Sequence, residues 1–168
     1  MASYLLVIGD REALGWIVSS GRMAFRSPGR SEVRALKAGD ELFVYTTRDA
    51  FKNPNRDRGR VIGTARVDSA VARLKHSVSF GGREYSIGCK LEVGPLARFG
   101  EGVELAPLVG EMDTFAGAGN AWWIWLRRPL VRLTGRDANH LHRELDKVIK
   151  DATLNDEAVA EYTRWFTA

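Results

Sequence analysis

The chain has 168 residues and a mass of 18.7 kDa, which fits one domain. Hydrophobic residues make up 45% and charged residues 27%, so a largely disordered chain is excluded, and no apolar run approaches the ~18 residues of a membrane helix. Its 25 basic residues against 21 acidic ones give a net charge of +4, and a lone Cys89 excludes an internal disulfide framework.

In chain order, residues 4–8 are a short apolar run ended by Gly9-Asp10, which predicts a buried strand. Ala13, Leu14, Ile17 and Val18 share one helical face, and Gly21 ends that helix. Residues 23–25 form a small apolar island before a Ser27-Pro28-Gly29 turn, and residues 31–36 suit one helical turn. Residues 41–47, rich in aromatic and β-branched side chains, predict a strand. The polar stretch 48–60 reads as a mobile loop. Residues 61–67 predict the next strand, whose inner Gly63 suggests a bulge or a close approach. Gly81-Gly82 between 77–80 and 83–87 predicts a hairpin, with a further strand at 89–93. Residues 104–109 suit a helical turn, and 122–126 and 130–133 are strand-like.

The end of the chain is helical. Thr134 and Asp137 stand at capping-box spacing before a stripe of Ala138, Leu141, Leu145 and Val148. Asn155 is placed to cap a last helix, with Leu154 and Val159 as a hydrophobic staple. About six short strands with small helices around them make an α+β fold, most simply a small curved barrel.

The basic excess lies in the first half. Residues 1–84 hold 15 basic and nine acidic side chains, residues 85–168 ten and 12, and 19 of the 25 basic residues are Arg. Arginine suits bidentate phosphate contacts, and a basic half-domain is the electrostatic footprint of a nucleic-acid binder, although an arginine-rich solvated surface gives the same arithmetic. Chemistry of other kinds finds little support. His140 and His142 lie two apart on a helix and cannot share a ligand face, and one cysteine makes no zinc spacing, so no metal or other cofactor is expected. Cys89 sits in a strand pattern as a small core residue, and no nucleophile, phosphate-loop or dinucleotide motif is present, so no catalytic residue is assigned. With no basic leader before Tyr4 and no cysteine framework, the expected location is the cytoplasm.

Trp122-Trp123-Ile124-Trp125 puts three indoles into four positions, with Arg127 and Arg128 next. Read as a strand, both faces carry a ring: one face belongs to a core and the other covers an apolar region or lines a pocket. Rings beside guanidinium groups hold an unstacked base and its phosphates, while plain packing accounts for the same rings in a small barrel.

Four stretches, in order, resemble the EVE domains of the PUA-like superfamily, relatives of the YTH domains. They are residues 4–8; Leu36-Lys37-Ala38-Gly39-Asp40-Glu41 running on to Tyr45; Gly63-Thr64-Ala65-Arg66-Val67-Asp68-Ser69; and Trp122 through Arg127-Arg128-Pro129 into Thr134-Gly135-Arg136-Asp137. The resemblance spans roughly residues 4–150, which sets a domain of residues 1–150 and leaves 151–168 as a C-terminal helical extension, the expected contact for a protein partner. It implies a small PUA-like β-barrel of about six strands with flanking helices, reading a modified base in DNA or RNA held in an aromatic cage. Phe25 stands where relatives place a cage Trp, and Trp122 matches the closing Trp. Tyr45 and Trp123 complete the expected cage by strand parity and proximity, and Arg26, Arg30, Arg58, Arg60 and Arg127 are the expected phosphate contacts. Two alternatives belong to other classes. One is an ASCH-like hydrolase acting on a modified nucleoside, with Lys37 or Lys90 and Glu41, Glu84 or Glu92 supplying a base. The other is a protein-binding adaptor.

Overall fold

The run that opens the chain forms β1 (Ser3–Ile8) in the computed structural model, which describes residues 1–166. Asp10 starts α1 (Arg11–Ser20): its Oδ1 accepts from the backbone N–H groups of Glu12 and Ala13 at 2.8 and 3.1 Å, two of the donors a helix start leaves open. Gly21, at φ 64°, ends the helix as its C-cap and turns the chain into β2 (Arg22–Phe25). The single turn α2 (Ser31–Arg34) precedes β3 (Glu41–Thr46), β4 (Arg60–Val67), β5 (Ala72–Phe80) and β6 (Arg83–Leu96). A short β7 (Val103–Glu104), 3-10 segments at Ala106–Glu111, Asp113–Phe115 and Gly119–Arg127, then β8 (Leu130–Leu133), α3 (Gly135–Val148) and α4 (Asn155–Thr163) complete the chain.

The main sheet runs β2-β6-β4-β3-β1-β8, with β5 added to β6 and β7 to β4. β1 and β3 are parallel and the other pairs antiparallel. No pairing joins β8 to β2 among the described residues, so the sheet is a curled half-barrel with an open seam. This is the expected α+β architecture of six principal strands with flanking helices. The pieces 83–87 and 89–93 turn out to be one 14-residue strand, because Gly88 interrupts the apolar pattern without interrupting the backbone. A Cβ at Gly88 would stand 2.2 Å from the Met23 carbonyl oxygen, so only glycine lets β2 lie against β6 there. Gly81 and Gly82 have φ 57° and 75°, the paired positive values that a two-residue hairpin turn requires.

Side chains alternate across this sheet into two cores. Tyr4, Leu6, Ile8, Leu42 and Val44 join Ile17, Phe25, Val33 and Tyr162 on one face. Leu5, Phe43, Tyr45 and Val61 join Phe115, Leu141 and Leu145 on the other. Burial on both faces explains why the strands read as nearly continuous apolar runs. The loop 48–60 is anchored to the first core: Phe51 is buried, 4.9 Å from the Phe99 ring and 5.3 Å from Trp165.

The last helix docks on the same core. Ala158 and Tyr162 are buried, the Tyr162 hydroxyl donates to the Ala97 carbonyl at 2.8 Å, and Arg98 pairs with Glu157 at 2.8 Å. Asn155 makes no cap. Its Oδ1 accepts instead from the Leu96 N–H at 2.9 Å, tying the helix to β6. The helix expected to contact a protein partner thus packs Ala158 and Tyr162 on the domain itself. Residues 167 and 168 lie outside the described residues.

The strand expected at 122–126 is corrected to the 3-10 segment Gly119–Arg127. A strand needs a partner edge, and the free edge of β1 is taken by Leu130–Leu133. Tryptophan-rich composition favours a strand only where such an edge is available.

Half of the expected capping box is present: the Thr134 hydroxyl accepts from the Asp137 N–H at 3.2 Å. The buried Asp137 carboxylate turns away, accepting from the Asp113 and Thr114 N–H groups at 3.1 and 2.7 Å and from the Thr114 hydroxyl. Burial by itself pushes its pKa up, but the Thr114 and Asp113 hydrogen bonds outweigh burial and hold it below the ordinary carboxylate value. A depressed folded-state pKa means that the contribution is present above the unfolded value and is lost as pH falls through the folded one. Asp137→Asn is expected to cost about 2 kcal/mol near neutral pH. The gap from wild type should close as pH falls below about 4. Urea titrations at several pH values check this; a gap independent of pH would assign the cost to geometry instead of charge.

Candidate functional site

A cavity of about 750 Å³ lies at the open seam, between β2 and the residues that lead into β8. Its floor is apolar: Ile17, Met23, Phe25 and Val33 are all buried. Its wall is aromatic and comes from two distant elements. Trp16 projects from α1, three residues after Ala13 on the same helical side, and both line the cavity. Phe80 and Tyr85 straddle the Gly81-Gly82 turn. The Trp16 and Phe80 rings are 5.8 Å apart and tilted by 53°, and Phe80 and Tyr85 are 6.0 Å apart. All three rings are half-buried, so each keeps surface open to solvent or a ligand. Arg22 lies 5.6 Å over Trp16 and supports that wall from outside the cavity.

The rim is cationic. Arg26, Arg30, Arg83, Arg127 and Arg128 line the cavity. Glu32 of α2 stands 3.9 Å from Arg30 and 3.8 Å from Arg128, partly balancing those two. Among the described residues, Asp10 is the one carboxylate in the lining. Its Oδ1 is occupied by the helix cap, while Oδ2 has no protein donor among the described residues. A Cβ on Gly81 would stand 3.5 Å from that Oδ2, so the hairpin tip closes over it. An apolar slot with aromatic walls, an arginine rim and one free carboxylate oxygen suits a flat, partly polar ring attached to an anion.

The structure brings Phe25, Arg26, Arg30 and Arg127 to this cavity. It does not bring Tyr45, Trp122 or Trp123 there. Tyr45 faces the opposite core, with its hydroxyl pressed on Gly59, where a Cβ would come within 1.8 Å; burial pushes its phenol up to about 12. Trp122 packs edge-on against Phe115 at 5.9 Å, on that same opposite side. Trp123 is exposed outside the cavity, with the Arg127 guanidinium 5.0 Å over its ring. The single cage of Phe25, Tyr45, Trp122 and Trp123 is corrected accordingly, because strand alternation puts Phe25 and Tyr45 on opposite faces of the sheet. Arg58 and Arg60 also lie outside the cavity lining: Arg60 pairs with Glu104 at 3.4 Å, and the Arg58 guanidinium donates to the Asp57 carbonyl at 3.1 Å.

Sequence reading missed Trp16, Phe80, Tyr85, Arg83 and Asp10, while Arg128 was noted beside Arg127 but not placed among the phosphate contacts. A usable signal was present in the hairpin, where aromatic residues flank Gly81-Gly82 on both sides. The residues of the hydrolase alternative do not gather at the cavity. Glu41 contacts His142 at 2.9 Å, Glu92 pairs with Arg66, and Lys37, Lys90 and Glu84 are not in the lining. Burial pushes the Cys89 thiol up to about 11, which leaves little thiolate near neutral pH. A second, more polar hollow near Arg136, His140 and Arg143 contains Asp137, whose carboxylate is already taken up by Asp113 and Thr114.

No family model and no curated protein matches the sequence. Solved structures do match the fold. Rpa0253 from Rhodopseudomonas palustris aligns at a TM-score of 0.58 and 14% identity, over 88% of this chain and 95% of that one. Human THYN1 protein, in complex with DNA containing 5-methylcytosine, aligns at 0.55 and 11% identity, over 86% and 98%. The Mmi1 YTH domain, in complex with RNA, aligns at 0.58 and 11% identity, over 89% and 80%. The half-barrel thus shares its fold with THYN1 and with the Mmi1 YTH domain.

Proposed function

We propose that this protein is a reader that binds single-stranded or flipped-out nucleic acid and takes one modified base into the seam cavity. The observation that carries the reading is the pairing, at one site, of the Trp16–Phe80–Tyr85 wall with the rim of five arginines. The rings sandwich or flank the base, Phe25 closes the floor, and Arg26, Arg30, Arg83, Arg127 and Arg128 take the neighbouring phosphates. Two neighbours of the same fold, THYN1 with methylated DNA and the Mmi1 YTH domain with RNA, support nucleic acid as the ligand class.

Asp10 gives the pocket a direction. A carboxylate oxygen accepts hydrogen bonds and cannot donate them, so Oδ2 favours a base edge that carries an exocyclic amino group over one that carries a carbonyl. The test is a binding screen of short single strands bearing methylated, hydroxymethylated or deaminated bases, against unmodified controls. A buried methyl group should raise affinity about fourfold. Asp10→Asn keeps a good helix cap while placing an NH2 donor where Oδ2 stood. It should shift the preference from amino-bearing toward carbonyl-bearing bases, by roughly fivefold or more. Equal affinity for every strand in both proteins would rule out base reading at this cavity.

A further inference from the structure

Residues Gly119–Arg127 leave Trp123 at 49%, Ile124 at 46% and Trp125 at 37% of full exposure, three adjacent large apolar side chains in the open. Scattered single apolar residues are ordinary on a surface, but a contiguous group of this kind marks a contact site. The group has a specific chemistry. Arg127 lies 5.0 Å over Trp123 and Arg128 lies 5.2 Å over Trp125. The same two arginines line the seam cavity, so the exposed indoles adjoin its mouth through shared side chains.

We infer that Trp123 and Trp125 form a stacking platform for the nucleotides flanking the base that enters the cavity. The inference rests on the reading of this face as a nucleic-acid site and adds to it a second, sequence-tolerant contact. A guanidinium on one face of an indole leaves the other face and the ring edge for a flat base, and holds its positive charge where a phosphate can reach it. Continuity with the cationic rim favours an anionic, ring-bearing strand over an apolar protein surface. The 3-10 backbone matters here. In a strand, one of the two ring-bearing faces would turn into the domain, whereas this segment turns Trp122 inward, leaves Trp123 and Ile124 about half exposed, and sets Trp125 edge-on to Phe115 at 6.5 Å with part of its ring still in solvent.

Stacking on such a ring does not depend on which base is present, so the platform strengthens binding of modified and unmodified strands alike. The test uses the full chain and two single strands of roughly seven nucleotides, one with a central 5-methylcytosine and one without, together with vesicles of phosphatidylserine and phosphatidylcholine. Trp123→Ala should weaken both strands by the same factor, roughly fivefold to a hundredfold, with the ratio between them unchanged. Its melting temperature should stay close to wild type, because half of the ring is already in solvent. Trp125→Ala provides an independent second variant, and Trp123→Phe, which keeps a ring, should recover part of the loss. Unchanged affinity for both strands in both alanine variants overturns the platform, even where the modified strand is still preferred. Equal binding of the two strands by wild type, with Trp123→Ala weakening both, sinks the modified-base reading and leaves the platform standing. Wild-type binding to vesicles and to neither strand overturns both and makes the patch a membrane contact.

Discussion

Phe25→Ala is expected to lower stability by about 3–5 kcal/mol, enough to unfold much of a domain whose total stability is about 5–15 kcal/mol. Phe25 reaches the cavity only as its floor. The ring is 2% exposed and belongs to the core that also contains Ile17, Met23 and Val33. β2 has four residues and, among the described residues, pairs with β6 alone, so few other contacts hold that edge of the half-barrel once the ring is gone. Chemical denaturation of the variant measures the effect, and Phe25→Leu should be milder because it fills most of the space. A variant that kept wild-type stability yet lost its ligand would show the ring to be a binding surface and not a packing element.

Trp16→Ala should have the opposite balance. Its ring is half-buried on the cavity wall, in contact with Phe80 and capped by Arg22. Removing it takes away one stacking surface, worth about 1–3 kcal/mol of binding, or roughly a fivefold to hundredfold loss of affinity for a strand whose base enters the cavity. Loss of the ring's packing on α1 and the hairpin should cost less stability than Phe25→Ala, since much of the side chain already meets solvent. Melting temperature and affinity measured on the two variants separate wall from floor. Undiminished affinity in Trp16→Ala, with the protein folded, would remove this ring from the site and take with it the main support for base capture at the seam.

Local signals in the chain determined a good part of this architecture. Gly21 marks the end of α1, Gly81-Gly82 marks the hairpin, the apolar runs at 4–8, 41–47 and 61–67 mark three central strands, and Thr134 marks the start of α3. Each depends on residues within a few positions of one another: a capping oxygen near its N–H, two positive φ angles in succession, or a run buried on both sides. The Arg26, Arg30 and Arg127 rim was legible in the same way, because the basic excess and the Arg pair after the tryptophans are visible without a fold.

Tertiary structure alone decided where the aromatics went. Trp122–Trp125 has strand composition, but β8 occupies the edge that a strand there would need, so the segment winds as a 3-10 helix and exposes two of its three indoles. Asn155 has the chemistry of a cap, but the Leu96 N–H lies closer to hand in the folded chain. Phe25 of β2 and Tyr45 of β3 are separated by β6 and β4 in the sheet and point to opposite sides of it. The wall of the cavity joins Trp16 to Phe80 and Tyr85, more than sixty residues apart, through the curl of β6 and the open seam beside β2. A site of this kind depends on the register and closure of the sheet, which are set by pairing between distant strands, and no local pattern of residue types carries that information.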